Sequence, residues 1–151
     1  MNPRLVFWID LVTALGASAL LWAMLSPKAE AAELILHGPS HHFDSQAGYN
    51  NQNFGLGYAF DNNVVVGAYE NSLSRTTQNP GRRTSVYAGY VLRLTEHVGI
   101  LAGVATGYEK MPVQPAALLI FTAPITGHWL LHFNVAPVKG GFINLSLGYR
   151  R

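Results

Sequence analysis

A serine hydroxyl, several imidazoles and a carboxylate occur in two segments of the chain, and together they form a set suited to acyl transfer. His37, His41, His42 and Asp44 lie in the first segment, and Ser72 lies in the second. An imidazole that removes the serine proton lets the oxygen attack a carbonyl carbon, and a carboxylate orients that imidazole. Acyl-transfer chemistry is therefore predicted, provided that the fold brings the two segments together.

Other kinds of site have little support in the sequence. The run HGPSHH at residues 37–42 contains imidazoles that bind metals, but the chain lacks a convincing metal-ligand spacing. No glycine-rich phosphate loop, nucleophile elbow or zinc-protease motif occurs, and there is no cysteine. The formal net charge of +2 comes without a basic helix or a stacking motif. We therefore expect no metal, no cofactor and no nucleic-acid partner.

The elements that must position these side chains are short β-strands. Tight turns alternate with longer loops between them, which is typical of an outer-membrane barrel. Charged residues make up only 12% of the chain, against roughly 25% in soluble domains. We predict an all-β fold, an eight-stranded antiparallel transmembrane β-barrel of residues 32–151. Its strands are predicted at residues 33–38, 53–60, 63–71, 84–94, 97–107, 115–123, 128–136 and 142–150.

The N-terminal segment has the pattern of an export signal. Arg4 supplies the positive charge, residues 11–25 form an apolar core, and residues 29–31 fit a small-x-small cleavage site. We predict a signal peptide at residues 1–31 and a location in the bacterial outer membrane. An uncleaved inner-membrane anchor is the alternative, although the apolar core is shorter than the about 20 residues that a spanning helix needs.

Alternation along the strands assigns side chains to two faces of the sheet. Bulky rows are predicted to face lipid, and small or polar rows to face the lumen, because successive side chains of a strand point to opposite faces. In the strand at residues 84–94, the inward row contains Tyr87, Gly89 and Val91. Eight strands leave room for side chains or one small ligand. Inward glycines with few charges predict a lumen that is partly hollow and apolar.

Export places the N-terminus in the periplasm, so the first strand runs outward and the longer loops lie at the outer rim. The histidines of the first segment and Ser72 are therefore predicted at the same rim. Basic side chains collect there and are predicted to pair with phosphates of lipopolysaccharide. These are Arg75, Arg82, Arg83, Lys110 and Lys139.

Several segments resemble the lipid A palmitoyltransferases (PagP-like proteins). The run YNNQNFGLG at residues 49–57 is similar to their Tyr-Asn-Glu-Arg-x-x-Gly segment, and VGAYENS at residues 66–72 to their strand ending in Lys-Asp-Ser. Ala-Gly-Tyr at residues 88–90 and the strand at residues 97–107 also resemble theirs, and prolines at residues 112–115 and 137 fall where that family interrupts strands. The resemblance covers nearly all of the predicted mature chain.

The resemblance implies an outer-membrane enzyme that moves an acyl chain from a phospholipid donor to a lipid A acceptor, and we expect a monomer. The family's essential His, Asp and adjacent Ser correspond to His37, Asn71 and Ser72, with His41 and Asp44 as alternates. Asn71 departs from the pattern because an amide cannot serve as a carboxylate. A non-catalytic outer-membrane lipid-binding barrel is therefore the alternative.

The resemblance also locates an acyl pocket. A glycine at the floor of the family's pocket corresponds to Val91, with Gly89 nearby, and the bulkier valine predicts a donor chain shorter than palmitate.

Prolines predict where a lipid chain enters the barrel. Proline cannot donate to a strand ladder, so Pro115 and Pro137 are predicted to form a lateral gate, whereas Pro124 is predicted in a turn.

Two further readings are less favoured by the sequence. A lipid A deacylase using a histidine and a serine near the last strand lacks support because Asn144, Ser146 and Gly148 bring no adjacent histidine. A soluble lipocalin-like binder is disfavoured by the bulky outward rows.

Overall fold

Eight antiparallel strands form a closed barrel in the computed structural model. The structure describes residues 32–44, 48–73, 83–108, 112–138 and 141–151. Each strand pairs with its neighbour in sequence, and β8 pairs with β1 to close the barrel. The predicted all-β, eight-stranded barrel is thus confirmed, while the predicted signal peptide lies outside the described residues. The strands are β1 (Glu33–His42), β2 (Gly55–Ala59), β3 (Val64–Glu70), β4 (Thr84–Arg93), β5 (Val98–Thr106), β6 (Val113–Thr126), β7 (Trp129–Val135) and β8 (Phe142–Arg150).

The exterior of the barrel is apolar and its polar rows face inward. On β7, Leu131 and Phe133 are each 39% exposed, whereas His132 and Asn134 are each 8% exposed. The predicted assignment of faces is therefore confirmed on this strand, and β2 and β8 follow the same alternation. A closed barrel with an apolar outer surface is the form of bacterial outer-membrane proteins. The chain is therefore a transmembrane barrel of the outer membrane, and a soluble lipocalin-like barrel is excluded.

No helix in the described part of the chain is long and apolar enough to cross a membrane.

Two strands are longer than predicted. β1 continues past residue 38 to His42, and β6 continues to Thr126. Pro124 lies inside β6, opposite Leu130, so its predicted place in a turn is wrong. The pairing register shifts between Pro124 and Thr126, and such a bulge accommodates a residue that lacks a backbone N–H. The turn begins at Gly127, directly after β6. Its φ of 49° is readily adopted by glycine.

The two ends of the barrel differ in the length of their connections. At the end where β1 finishes, the connections are residues 43–54, 71–83, 107–112 and 136–141, and we call this end the outer rim. At the opposite end, the lower rim, the connections are residues 60–63, 94–97 and 127–128. Longer loops are characteristic of the extracellular side of such barrels.

The lumen has one polar wall and one apolar wall around a cavity of about 520 Å³. Strands β7, β8 and β1 form the polar wall, which includes Glu33, His37, His132, Asn134, Asn144 and Ser146. Strands β4, β5 and β6 form the apolar wall, which includes Val91, Leu101, Ala105, Ala116, Leu118 and Ile120. The prediction of a partly hollow, apolar lumen is therefore correct for one side of the barrel.

A buried ion pair occupies the lower end of the polar wall. Glu33 is 3% exposed and contacts His132, and Arg150 Nη2 donates to Glu33 Oε2 at 3.4 Å. His132 Nδ1 also lies 3.0 Å from the hydroxyl oxygen of Thr122. Gly148 leaves space for the pair, since a Cβ there would lie 2.6 Å from His132 Nε2. This cluster lies at the end of the barrel opposite Ser72.

Candidate functional site

Ser72 and His42 form a hydroxyl–imidazole pair at the outer rim. His42 Nε2 lies 2.9 Å from Ser72 Oγ, and His42 Nδ1 lies 2.8 Å from Asn51 Oδ1. An amide oxygen only accepts hydrogen bonds, so Nδ1 carries the ring proton of the neutral imidazole and Nε2 accepts from the serine hydroxyl. The arrangement is a serine–histidine–asparagine relay, in which His42 can take the Ser72 proton. We call these three residues the Ser72 relay.

A bulge in β1 turns His42 into the lumen. His37 pairs with Ser146 of β8 and Ser40 pairs with Asn144, so two residues of β1 lie opposite one residue of β8 between these pairs. This extra residue reverses the facing of the side chains that follow. His42 is therefore 6% exposed, while His41 is exposed on the outside of the barrel. The prediction of His41 as an alternate is not supported by this geometry, because the bulge points it away from Ser72.

Asn144 stabilises the bulge. Its Nδ2 donates to Gly38 O at 2.9 Å and to Pro39 O at 3.1 Å. These carbonyls belong to the bulged segment, so one side chain of β8 supplies their hydrogen-bond partners. The bulge is thus held by the polar wall below the Ser72 relay.

Ser72 follows the end of β3, on a turn that the side chain of Asn71 anchors. Asn71 is completely buried, and its Nδ2 donates to Ser85 Oγ at 2.7 Å and to Gly107 O at 3.1 Å. Its Oδ1 accepts from Leu73 N at 2.7 Å. The amide of Asn71 is therefore used to fix the turn, and the amide that contacts the imidazole belongs to Asn51. Asn71 takes a structural place in this geometry rather than the predicted place in the relay.

Aromatic rings enclose the imidazole. The ring centroid of His42 lies 4.6 Å from that of Tyr49 and 5.6 Å from that of Phe142. The loop that carries Tyr49 and Asn51 is tied to the serine turn, because Asn50 N donates to Ser72 O at 2.8 Å. Packing and backbone contacts together fix the imidazole against the hydroxyl. Asp44, the other predicted alternate, lies exposed at this rim.

His37 lies deeper in the lumen and contacts a different serine. Its Nε2 lies 2.8 Å from the Tyr87 hydroxyl and its Nδ1 lies 3.2 Å from Ser146 Oγ. Ser146 donates its own proton to Asn144 Oδ1 at 2.7 Å, so it accepts from His37 and is not activated by it. The structure therefore places His42, rather than the predicted His37, within hydrogen-bond distance of Ser72.

Two tyrosines add hydroxyls near the outer rim. The hydroxyls of Tyr69 and Tyr108 lie 2.9 Å apart. Burial raises the pKa of the Tyr108 hydroxyl, so this group stays protonated and available as a donor. Within the described ranges, no group of three His, Asp or Glu residues could hold a metal ion.

The two residues predicted for the acyl pocket differ in their surroundings. Val91 lines the cavity, together with Tyr87 of the same strand. A Cβ on Gly89 would lie 2.8 Å from Ala102 O of β5. Gly89 therefore serves the close approach of β4 to β5, whereas Val91 contributes its side chain to the lining of the cavity.

The predicted lateral gate coincides with a break in strand pairing. The ladder between β6 and β7 begins at Leu119 opposite Val135, so residues 113–118 of β6 extend beyond it and pair with β5. All of residues 114–118 line the cavity, although neighbouring residues of a strand point to opposite faces. The cavity therefore reaches around the edge of β6. Pro115 lies in this stretch, and Pro137 follows β7 across the gap.

The site contains residues that the sequence prediction missed. The sequence places His42 among several histidines without singling it out, and it indicates no role for Asn51 or Asn53. The signal for both asparagines was their place in the segment YNNQN, at residues 49–53, which precedes β2.

No family model and no curated protein matches the chain. A solved structure that it resembles is the backbone structure of the Yersinia pestis outer membrane protein Ail in a phospholipid bilayer nanodisc. That structure shares 20% sequence identity and gives a TM-score of 0.43, over 81% of this chain and 100% of the other. A similarity this distant carries no argument about function, so the functional argument depends on the site.

Proposed function

We propose that the protein is an outer-membrane acyltransferase that moves a fatty acyl chain from a phospholipid to lipid A. The observation that supports this function best is the Ser72 relay, with its 2.9 Å contact between Ser72 Oγ and His42 Nε2 beside a cavity that has an apolar wall. The relay supplies the groups for acyl transfer, and the cavity supplies a place for a hydrocarbon chain.

The reaction consists of two displacements at one carbonyl carbon. Ser72 Oγ attacks the phospholipid ester while its proton moves to His42 Nε2, and that proton then passes to the departing lysophospholipid oxygen. The acyl group is left as an ester of Ser72. A hydroxyl of lipid A gives its proton to His42 and attacks this ester, and His42 returns the proton to Ser72 as the acylated lipid leaves.

Asn51 takes the place that a carboxylate holds in most serine–histidine centres. Its Oδ1 accepts from Nδ1 of His42, so the imidazole has the tautomer that the mechanism requires. Cysteine proteases of the papain type use a histidine–asparagine pair in the same way. An uncharged oxygen stabilises the imidazolium less than a carboxylate does, so we expect a slower turnover than in a centre that has a carboxylate.

The barrel also offers a route for a lipid. A donor chain lying in the outer leaflet reaches the cavity through the gap between β6 and β7, past Pro115. Inside, it packs on the apolar wall of β4, β5 and β6, which has no competing charge along Val91, Leu101 and Ala105. Among the basic residues predicted to pair with lipopolysaccharide phosphates, Arg83 lies at the outer rim, and Arg75, Arg82, Lys110 and Lys139 lie outside the described residues.

A direct assay tests this function. The folded protein is incubated in mixed micelles with lipid A and a phospholipid that carries labelled acyl chains. We expect labelled lipid A and lysophospholipid in equal amounts. Free labelled fatty acid without labelled lipid A would indicate a phospholipase instead. If the label stays on the phospholipid, the non-catalytic lipid-binding barrel is the correct function.

The volume of Val91 predicts the length of the transferred chain. We expect the parent protein to transfer a chain shorter than palmitate, and Val91→Gly to shift the preference to longer chains. Each buried methylene contributes about 0.8 kcal/mol, so a chain one methylene too long loses roughly fourfold in rate. Mass spectrometry of lipid A after incubation with mixed-chain phospholipids measures the preference.

Val86→Gly is the matched control, because Val86 lies on the same strand but is 55% exposed on the outside of the barrel. It should leave the preferred chain length unchanged. Palmitate added by the parent protein would contradict the assignment of Val91 as the residue that limits the pocket.

A further inference from the structure

Asn53 lies beside Ser72 and is held at both ends of its side chain. It is 6% exposed and lines the cavity. Its Nδ2 donates to Glu70 O at 2.8 Å, and its Oδ1 accepts from the hydroxyl of Ser40. Because a backbone carbonyl only accepts hydrogen bonds, the contact with Glu70 identifies which end of the amide is the nitrogen. The orientation of the amide is therefore determined by its neighbours.

The second hydrogen of this amide points to the nucleophile. A side-chain amide nitrogen carries two hydrogens, and the bond to Glu70 O uses one. Asn53 Nδ2 lies 3.5 Å from Ser72 Oγ, which donates its own hydrogen to His42 and so presents a lone pair to Asn53. The Ser72 oxygen thus lies between a base and a donor.

We infer that Asn53 is a further catalytic residue, whose amide donates to the oxyanion formed when Ser72 attacks an acyl ester. This inference depends on the proposed function. As the Ser72 oxygen bonds to the carbonyl carbon, the π electrons move to the carbonyl oxygen, and they return when the leaving group departs. Asn53 donates a hydrogen bond throughout and transfers no proton. Since the oxyanion is attached to the carbon that Ser72 has bonded, it forms next to the amide.

The long distance of 3.5 Å between Asn53 Nδ2 and Ser72 Oγ fits the role of an oxyanion donor. An oxyanion donor is judged by its distance to the position of the charged oxygen rather than to groups of the resting enzyme, and catalytic hydrogen bonds are often long before substrate binds. The orientation of the donor matters more than this distance, because a donor that is already oriented loses no freedom during the reaction. Ser40 and the Glu70 carbonyl provide that orientation. Ser40 is therefore a positioning residue for Asn53.

A pair of inhibitors tests the inference on the whole folded protein. A long-chain trifluoromethyl ketone forms a charged hemiketal with a nucleophilic serine, whereas the matched long-chain ether cannot react. For Asn53→Ala we expect the ketone affinity to fall by about 10²-fold to 10³-fold, as for other oxyanion donors, with the ether affinity unchanged. The value of kcat should fall by a similar factor while KM changes little.

Two further variants and one control separate the chemical role of Asn53 from an effect on folding. The heat-induced shift in gel mobility reports whether each variant folds. Asn53→Asp keeps the size of the side chain but replaces the donor by a carboxylate, so it should also lose the ketone preference. Ser40→Ala retains Asn53 and should show a smaller loss, so it carries the test if neither Asn53 variant folds. Asn62→Ala, in a turn at the lower rim, should behave like the parent protein.

The outcomes distinguish this inference from the proposed function. If the parent protein binds ketone and ether equally well, Ser72 forms no adduct and the proposed function fails. If the parent prefers the ketone and the folded Asn53 variants keep that preference, the oxyanion role of Asn53 alone is wrong. In the case where only Ser40→Ala folds, an undiminished ketone preference in that variant overturns the inference.

Discussion

Replacing Ser72 by alanine is expected to abolish acyl transfer to lipid A, with the rate falling at least about 10³-fold. The reason is that Ser72 Oγ is the oxygen that His42 Nε2 can deprotonate, at 2.9 Å, and no acyl-enzyme forms without it. Loss of labelled lipid A and of labelled lysophospholipid, measured together in mixed micelles, reports the effect. Both products must disappear, because the acyl-enzyme precedes each complete turnover.

Ser146→Ala is the matched control for this substitution. Ser146 also lies in the lumen and lies 3.2 Å from a histidine, but its hydroxyl donates to Asn144. The variant should keep most of the activity of the parent protein. If Ser146→Ala were inactive and Ser72→Ala active, the chemistry would belong to the centre of the lumen, and the deacylase reading would gain support.

The second large effect is expected at His42. His42→Ala should lower the transfer rate by about 10²-fold to 10⁴-fold, which is the range for a positioned general base. His42 contacts Ser72 and Asn51 directly, so its loss removes the group that accepts the serine proton. Initial rates at saturating phospholipid separate this effect from a change in lipid binding.

His37→Ala provides the comparison. His37 forms hydrogen bonds with Tyr87 and Ser146 across the lumen. Its loss should therefore lower the temperature at which the barrel unfolds and leave most of the transfer rate. A fully inactive His37→Ala beside an active His42→Ala would restore the assignment that the resemblance suggested. The transfer rates and unfolding temperatures of the two variants thus identify which histidine is the general base.

The strands and their facing could be predicted from the sequence because alternation is a local property. In β7, the residues from Trp129 to Asn134 alternate between the outside and the lumen, as the pattern of the sequence predicts. The shared rim of Ser72 and the first histidines is also predictable, because the connections that follow β1 and β3 lie at the same end of an antiparallel barrel. These features need no knowledge of which residue pairs with which.

The choice of histidine could not be predicted in this way, because a bulge is a property of two paired strands. Counting by twos from Glu33 turns His37 and His41 inward. Gly38 and Pro39 are residue types found at bulges, but they do not show by how many residues the register shifts. The change depends on the register with β8, where Ser146 and Asn144 pair with His37 and Ser40. The residues of β8 are more than a hundred positions away in sequence, so the signal is not local.

The asparagines were missed for a different reason. Asn51 and Asn53 lie in the connection before β2, where asparagine is common as a turn residue and its presence carries little chemical information. The resemblance points instead to Asn71, which stands next to Ser72. In the structure its amide is fully used by Ser85, Gly107 and Leu73.

The bulge after His37 divides β1 into two parts whose alternation between lumen and lipid is offset by one residue. Below it, the inward positions of β1 belong to the polar wall, and above it they belong to the Ser72 relay. A substitution in one part of β1 therefore leaves the facing of the side chains in the other part unchanged. A related chain that lacked one residue of this bulge would present its equivalent of His41 to the serine, and its equivalent of His42 to the lipid.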